Sequence, residues 1–211
     1  MGQKRKKFVG SIIAGKCAGK CYTFFMQAAG FVLVGGHSSR MGRDKALLPL
    51  KSGLLIEEVT AKVTAAAGTL ALIGEPERYR HLGLDCLADL RSGMGPLAGI
   101  EAALESGRGA LNLIVACDMP GLETDWLCRL LRKARESDAL CVASAERSGI
   151  VHPLCAVYRS NCLPVVRKAL DAGRLKLLDL LGELDASALE ISTEVWNINT
   201  PQQWTAWEQA H

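Results

Sequence analysis

Aromatic side chains are scarce, at 5% of 211 residues, so the core must be aliphatic, drawn from a 49% apolar complement rich in Ala, Leu, Val and Ile. No stretch reaches the ~18 unbroken apolar residues needed to cross a bilayer as a helix, which argues against a membrane protein. Acidic residues are missing from residues 1–25, which carry Lys4, Arg5, Lys6, Lys7, Lys16 and Lys20. Removing those six charges from the net +3 leaves 3 − 6 = −3 for the rest. A mildly acidic body lacks the global polybasic character of a nucleic-acid binder. Internal repeats and low-complexity linkers are also absent. So are the Walker pattern G-x₄-G-K-[ST] and the dinucleotide pattern G-x-G-x-x-G, which disfavours a nicotinamide oxidoreductase. No Ser/His/Asp or Cys/His constellation suggests a protein nucleophile.

The chain length suits one compact α/β domain, and 21 glycines with seven prolines suit many tight βα turns. Of eight cysteines, Cys86, Cys117, Cys141 and Cys155 sit in or beside apolar runs and read as small buried hydrophobes of a reducing, cytoplasmic protein. Cys17 and Cys21 form one C-x₃-C pair, which without further ligands is a weak metal signal. Residues 1–25 mimic a signal peptide, but Lys16 and Lys20 interrupt the apolar run and no cleavage site follows. Met26 lies just before the first core strand. Residues 1–25 are therefore expected to be a disordered basic extension or the product of a start codon placed too early, and residues 26–211 the domain.

From there the pattern alternates strand and helix. Strands are expected at 31–34, 70–73, 84–87, 111–116, 140–143, 154–158 and 196–199. Helices are expected at 54–67, 97–106, 123–135 (with Thr124 or Asp125 as N-cap), 160–171 (broken near Pro164), 175–181 and from Thr200-Pro201 onward. The economical architecture is a single doubly wound, three-layer α/β/α Rossmann-like domain with a mostly parallel sheet.

The most informative segment runs Leu33-Val34-Gly35-Gly36-His37-Ser38-Ser39-Arg40-Met41-Gly42-Arg43-Asp44-Lys45. Paired glycines let backbone approach a phosphate chain and aim N–H groups at it. Arg40 and Lys45 supply cations for a triphosphate. A glycine turn with solvated basic residues would explain Gly-Gly alone, but not the whole string. Asp118 follows the apolar strand at 111–116, at the carboxyl end where open α/β sheets bind ligands. Its carboxylate could hold Mg²⁺, which prefers oxygen ligands and uses one or two carboxylates plus substrate phosphates. The plain alternative is a turn residue ahead of Pro120. Asp89 precedes Arg91-Ser92-Gly93-Met94-Gly95-Pro96-Leu97-Ala98-Gly99-Ile100; its carboxylate could accept from guanine N1–H and N2–H or from ribose hydroxyls, or be a solvated loop charge. Asn197 and Asn199, two apart, would share one face of a strand.

The glycine-loop string resembles the signature of the cytosolic nucleotidyltransferases that make sugar nucleotides and molybdenum-cofactor dinucleotides, and most closely that of the molybdenum cofactor guanylyltransferases. The likeness extends through the Asp-Met-Pro, Gly-Pro-Leu-Ala-Gly-Ile, His152-Pro153-Leu154 and Asn197-Ile198-Asn199-Thr200-Pro201 strings, over about residues 29–205. One departure is Val34, where the family usually has alanine. The resemblance implies that Leu33, Val34, Gly35, Gly36, Arg40 and Lys45 hold the NTP, that Asp118 binds Mg²⁺, and that Asp89 helps bind the nucleoside. Asn197 or Asn199 would complete the metal shell or bind the acceptor, and His152 would lie on the pterin side or be structural. The implied reaction transfers GMP from GTP to the terminal phosphate of Mo-molybdopterin, releasing pyrophosphate. The implied partners are the enzymes that make and receive the molybdenum cofactor. Two rivals are a CTP-using or sugar-phosphate relative, and a non-catalytic nucleotide-binding regulator on the same fold.

Overall fold

The computed structural model describes residues 27–35, 44–51, 53–191 and 195–210. The expected basic extension over residues 1–25, with Cys17 and Cys21, lies outside them.

A seven-stranded sheet forms the centre. Its strands, in chain order, are β1 (Ala28–Leu33), β4 (Ala71–Ile73), β5 (Cys86–Leu87), β6 (Leu111–Ala116), β7 (Cys141–Glu146), β8 (Val151–Arg159) and β9 (Ser187–Ile191). The short β2 (Pro49–Leu50) and β3 (Gly53–Leu54) make a separate antiparallel hairpin that the sequence pattern did not suggest. Spatial order is β5-β4-β1-β6-β8-β7-β9. β1 pairs in parallel with both β4 and β6, β4 with β5, and β7 with β9. β8 is antiparallel to both β6 and β7, so it alone runs against the rest. The expected mostly parallel α/β sheet is present, and the carboxyl ends of β1, β4, β6 and β7 share one edge.

Side chains alternate across the sheet with the two-residue strand period. Val32, Leu113 and Val115 face one layer, packed by α1 (Leu55–Ala67), α4 (Thr124–Glu136) and Trp204 of α7 (Pro201–Ala210). Phe31 and Ile114 face the other, packed by α3 (Pro96–Glu105), α5 (Leu163–Asp171) and α6 (Leu177–Glu183). A single turn, α2 (Pro76–Tyr79), follows β4. Cys117, Cys141 and Cys155 are buried and Cys86 half-buried, all as free thiols, as small hydrophobes should be. No helix among the described residues is long and apolar enough to cross a membrane.

Local differences from the sequence pattern have local causes. α4 is capped by Glu123, without a side-chain cap bond, rather than by Thr124 or Asp125, which are its first two helical residues. Pro164 does not break a helix. A 3₁₀ turn at Ser160–Cys162 leads into α5, and Pro164 sits in its first turn, where a missing N–H costs nothing. The largest correction concerns residues 196–199, which are not a strand. The edge strand is β9 instead, whose Ser-Ala-Leu-Glu-Ile sequence is half-polar because it is only half-covered. Asn197 and Asn199 therefore do not share a strand face.

Candidate active site

At the end of β1, Val34 donates its N–H to Ile73 O at 2.9 Å, and Cys117 N–H reaches Leu33 O at 3.0 Å. These bonds lock the strand ends together just before Gly35. Gly35 has φ +91°, a conformation open to glycine and strained for other residues. Gly74, one strand over, permits close approach: a Cβ there would lie 2.6 Å from the Val34 carbonyl oxygen. Gly36 and Arg40 lie outside the described residues.

The chain re-enters at Asp44, whose carboxylate accepts from Ala46 N–H at 3.0 Å and so starts the 3₁₀ turn Lys45–Leu47. The same side chain receives the Tyr79 hydroxyl at 2.8 Å and Arg78 Nε at 2.7 Å. Burial, then the Asp44 carboxylate, pushes the Tyr79 phenol far above its ordinary range, so it stays a donor. Asp44 thereby fixes the turn that presents Lys45.

Lys45 Nζ lies 3.2 Å from Asp118 Oδ2 and 2.6 Å from Asn199 Oδ1. Three segments far apart in sequence meet there. Asp118 follows β6. Asn199 is placed by backbone bonds on both sides of it. Ile198 N–H reaches Asp118 O at 2.9 Å, and the Asn199 and Thr200 N–H groups both donate to Gln203 Oε1, at 2.7 and 3.0 Å. Gln203 N–H in turn donates to Thr200 Oγ1 at 3.2 Å. This reciprocal Thr-x-x-Gln cap starts α7. Asp118 and Asn199 thus converge two oxygen donors on one cation, and that donor chemistry suits a hard divalent ion such as Mg²⁺. Among the described residues no three His, Cys, Asp or Glu side chains form a protein-only metal cage.

Asp89 stands apart, just after β5 and three strand spacings from β6, about 14 Å at the usual ~4.8 Å between strands. Partial burial, then the Glu75 carboxylate, raises its carboxyl above the ordinary range. Its loop is tied down by Arg91, which reaches Glu101 on α3 at 2.9 and 3.2 Å and Asp171 on α5 at 2.5 Å. Glu101 is buried. His152 is buried as well, with Nε2 2.9 Å from Glu146 Oε1. Of the residues singled out in the sequence, Lys45, Asp118 and Asn199 therefore meet at one point beside Leu33, Val34 and Gly35, while Asp89 lies along the same edge. Asn197 is half-buried in the same segment, but Asn199 is the one that meets Lys45. Sequence reasoning missed Asp44, Tyr79, Arg91, Glu101, Glu146 and Gln203. Only the Thr200/Gln203 spacing carried a signal that could have been read.

The fold is that of a mostly parallel α/β protein, and the chain belongs to the MobA-like NTP transferase domain family, whose profile matches residues 30–187. A Mesorhizobium japonicum protein named molybdenum cofactor guanylyltransferase is 39% identical over 66% of this chain and 70% of its own length. A Flavobacterium johnsoniae protein named "Probable molybdenum cofactor guanylyltransferase" is 32% identical over 82% of this chain and 92% of its own. Among solved structures, molybdopterin-guanine dinucleotide biosynthesis protein A from Archaeoglobus fulgidus superposes with TM-score 0.73 at 24% identity, covering 86% of this chain and 97% of that one. This last likeness bears on the fold.

Proposed function

We propose that the protein transfers GMP from GTP to the terminal phosphate of Mo-molybdopterin, giving the guanine dinucleotide cofactor and pyrophosphate. The convergence of Lys45, Asp118 and Asn199 beside the glycine turn is the observation that carries the proposal. The names of the similar curated proteins support the choice of GTP and molybdopterin.

An oxygen of the acceptor phosphate attacks the α-phosphorus of GTP. The bond from that phosphorus to the bridging oxygen breaks, and pyrophosphate leaves with the electron pair. The attacking phosphate is already anionic near neutral pH, so no protein nucleophile or strong base is needed. What remains for the protein is positioning and charge neutralisation. Gly35 and Gly36 offer backbone N–H groups to the triphosphate, and Arg40 and Lys45 offset the charge on the departing pyrophosphate. Asp118 and Asn199 would hold Mg²⁺. When bound, this ion would offset negative charge at the reacting phosphates. Lys45 already bridges those two oxygens, so it must turn from them toward phosphate when nucleotide arrives. Asp89, at the far side of the edge, accepts from the guanine N1–H and N2–H.

The test is pyrophosphate release with each of the four NTPs and molybdopterin in the presence of Mg²⁺, alongside thermal shift with each NTP. Release and stabilisation selective for GTP are expected. Selectivity for CTP would move the assignment to cytidylyl transfer, and GTP binding without pyrophosphate release would make the protein a binding module.

A further inference from the structure

The His-Pro-Leu segment leads to a carboxylate. A register shift between Ala143 and Ser144 sets Ser144 opposite His152, and His152 Nε2 then lies 2.9 Å from Glu146 Oε1. The same oxygen accepts the N–H of Val195 at 3.2 Å, and Oε2 accepts the Ser148 hydroxyl at 3.0 Å. Glu146 ends β7, at the sheet edge that also carries Asp118, and its side chain is only 10% exposed. Burial alone would raise its carboxyl, but the bonds from Val195, Ser148 and His152 outweigh that and hold it below the ordinary range.

Val195 opens the strand-free stretch that ends at Asn199. That stretch joins no ladder. It is tied to the sheet by Val195 N–H on Glu146 and by Ile198 N–H on Asp118 O, and the Ile198 side chain is fully buried in the core. The Thr200/Gln203 cap fixes its far end to α7 rather than to the sheet. Glu146 is therefore a polar anchor, with the Asp118 carbonyl, for the stretch that carries Asn199. A carboxylate suits the task, because its two oxygens offer enough lone pairs to take three donors at once. The buried His152 ring meets the same oxygen that accepts the Val195 N–H, so removing His152 leaves that carboxylate with one partner fewer, and removing Glu146 leaves a buried ring nitrogen without its partner.

We infer that Glu146, braced by His152, is a positioning residue for the transfer: it seats residues 195–199 so that the Asn199 and Asp118 side-chain oxygens converge on Lys45 Nζ. His152 then acts through Glu146 and does not touch the acceptor. This deepens the proposed function and rests on its assignment of Asn199.

The experiment compares Glu146→Ala, Glu146→Gln, Asn199→Ala and the Glu146→Ala/Asn199→Ala double variant. It reads amide hydrogen exchange over residues 195–199, Tm, and kcat and KM for GTP. Glu146→Ala is expected to speed exchange at Val195 and Ile198 about tenfold and to lower kcat about tenfold, the loss of one charge-assisted bond, with KM for GTP within about twofold. Glu146→Gln, whose amide oxygen still accepts from Val195, recovers part of both effects and serves if the alanine variant does not fold. The double variant is expected to be no slower than Asn199→Ala, because both act through one side chain. Wild-type exchange and kcat in folded Glu146→Ala and Glu146→Gln would overturn the inference, as would additive losses in the double variant. If Asn199→Ala is impaired while Glu146→Ala is not, the inference alone fails. If Asn199→Ala itself turns over normally, the Asn199 assignment fails and takes the inference with it.

Discussion

Replacing Asp118 with alanine separates stability from turnover more sharply than any other single change. In the folded chain its carboxylate meets Lys45 at 3.2 Å, with the two side chains 18% and 22% exposed. An ion pair that wet contributes at most about 1 kcal/mol after screening and side-chain ordering. Lys45 keeps its shorter bond to Asn199, and the backbone carbonyl that receives Ile198 N–H is untouched. Thermal denaturation of Asp118→Ala should therefore show Tm lowered by no more than about 2–4 °C for a domain of this size. Turnover should respond very differently. If Asp118 is the carboxylate that holds the divalent ion against the reacting phosphates, its loss removes several kcal/mol of charge stabilisation. Taking about 4 kcal/mol, at 1.36 kcal/mol per decade, kcat falls about a thousandfold. Asp118→Asn, which keeps one neutral oxygen donor, should fall between the two. The assay is pyrophosphate release from GTP with molybdopterin at saturating Mg²⁺, run beside a melting curve on the same preparation. A folded Asp118→Ala protein with kcat within tenfold of the parent would refute the metal-holding role and the mechanism built on it.

Lys45→Met should change Tm as little, yet weaken GTP binding about tenfold or more, since one charge-assisted bond to phosphate is worth about 1.5–3 kcal/mol and the lysine must first release Asp118 and Asn199; titration calorimetry with GTP measures this. Gly74→Val places a Cβ 2.6 Å from the Val34 carbonyl oxygen, a backbone atom that cannot step aside. It should cost about 2 kcal/mol or more by overpacking and weaken GTP binding as well, read by denaturant unfolding and thermal shift. The Asp89 carboxyl titrates above its unfolded value, so the native state favours its protonated form and ionisation at neutral pH is slightly destabilising, an effect that fades as pH falls toward the unfolded range. Asp89→Asn should accordingly melt at the same temperature or slightly higher at pH 7, by at most about 0.5 kcal/mol, while losing about tenfold in GTP affinity. A clear drop in Tm, or unchanged GTP affinity, would contradict that assignment.

Much of this protein is written in runs of adjacent residues. β1, β6 and α1 each carry an apolar pattern with its own period and a glycine or polar stop, so their existence and type follow from local sequence. The glycine turn after β1 and the aspartate after β6 are legible for the same reason: a parallel strand is one apolar run, and the residue just past it must sit at the ligand-binding edge. Tertiary structure decided the rest. Trp196-Asn197-Ile198-Asn199 alternates like a strand, yet the Ile198 N–H is claimed by the Asp118 carbonyl and that of Val195, just before it, by Glu146, partners 80 and 49 residues away that no local pattern can show. β9 went unseen because an edge strand covered on one side needs few apolar residues. Asp44 and Tyr79 are 35 residues apart and Arg91 and Asp171 are 80 apart, so their pairing appears only once the sheet has placed their loops. The sequence by itself determined the sheet class and that Gly35, Asp89 and Asp118 follow strand ends. Only the folded chain could show that Asn199 rather than Asn197 joins Asp118 at Lys45 Nζ, and that His152 meets a carboxylate. Those outcomes depend on where separate elements end relative to one another, which is fixed by packing and not by residue order.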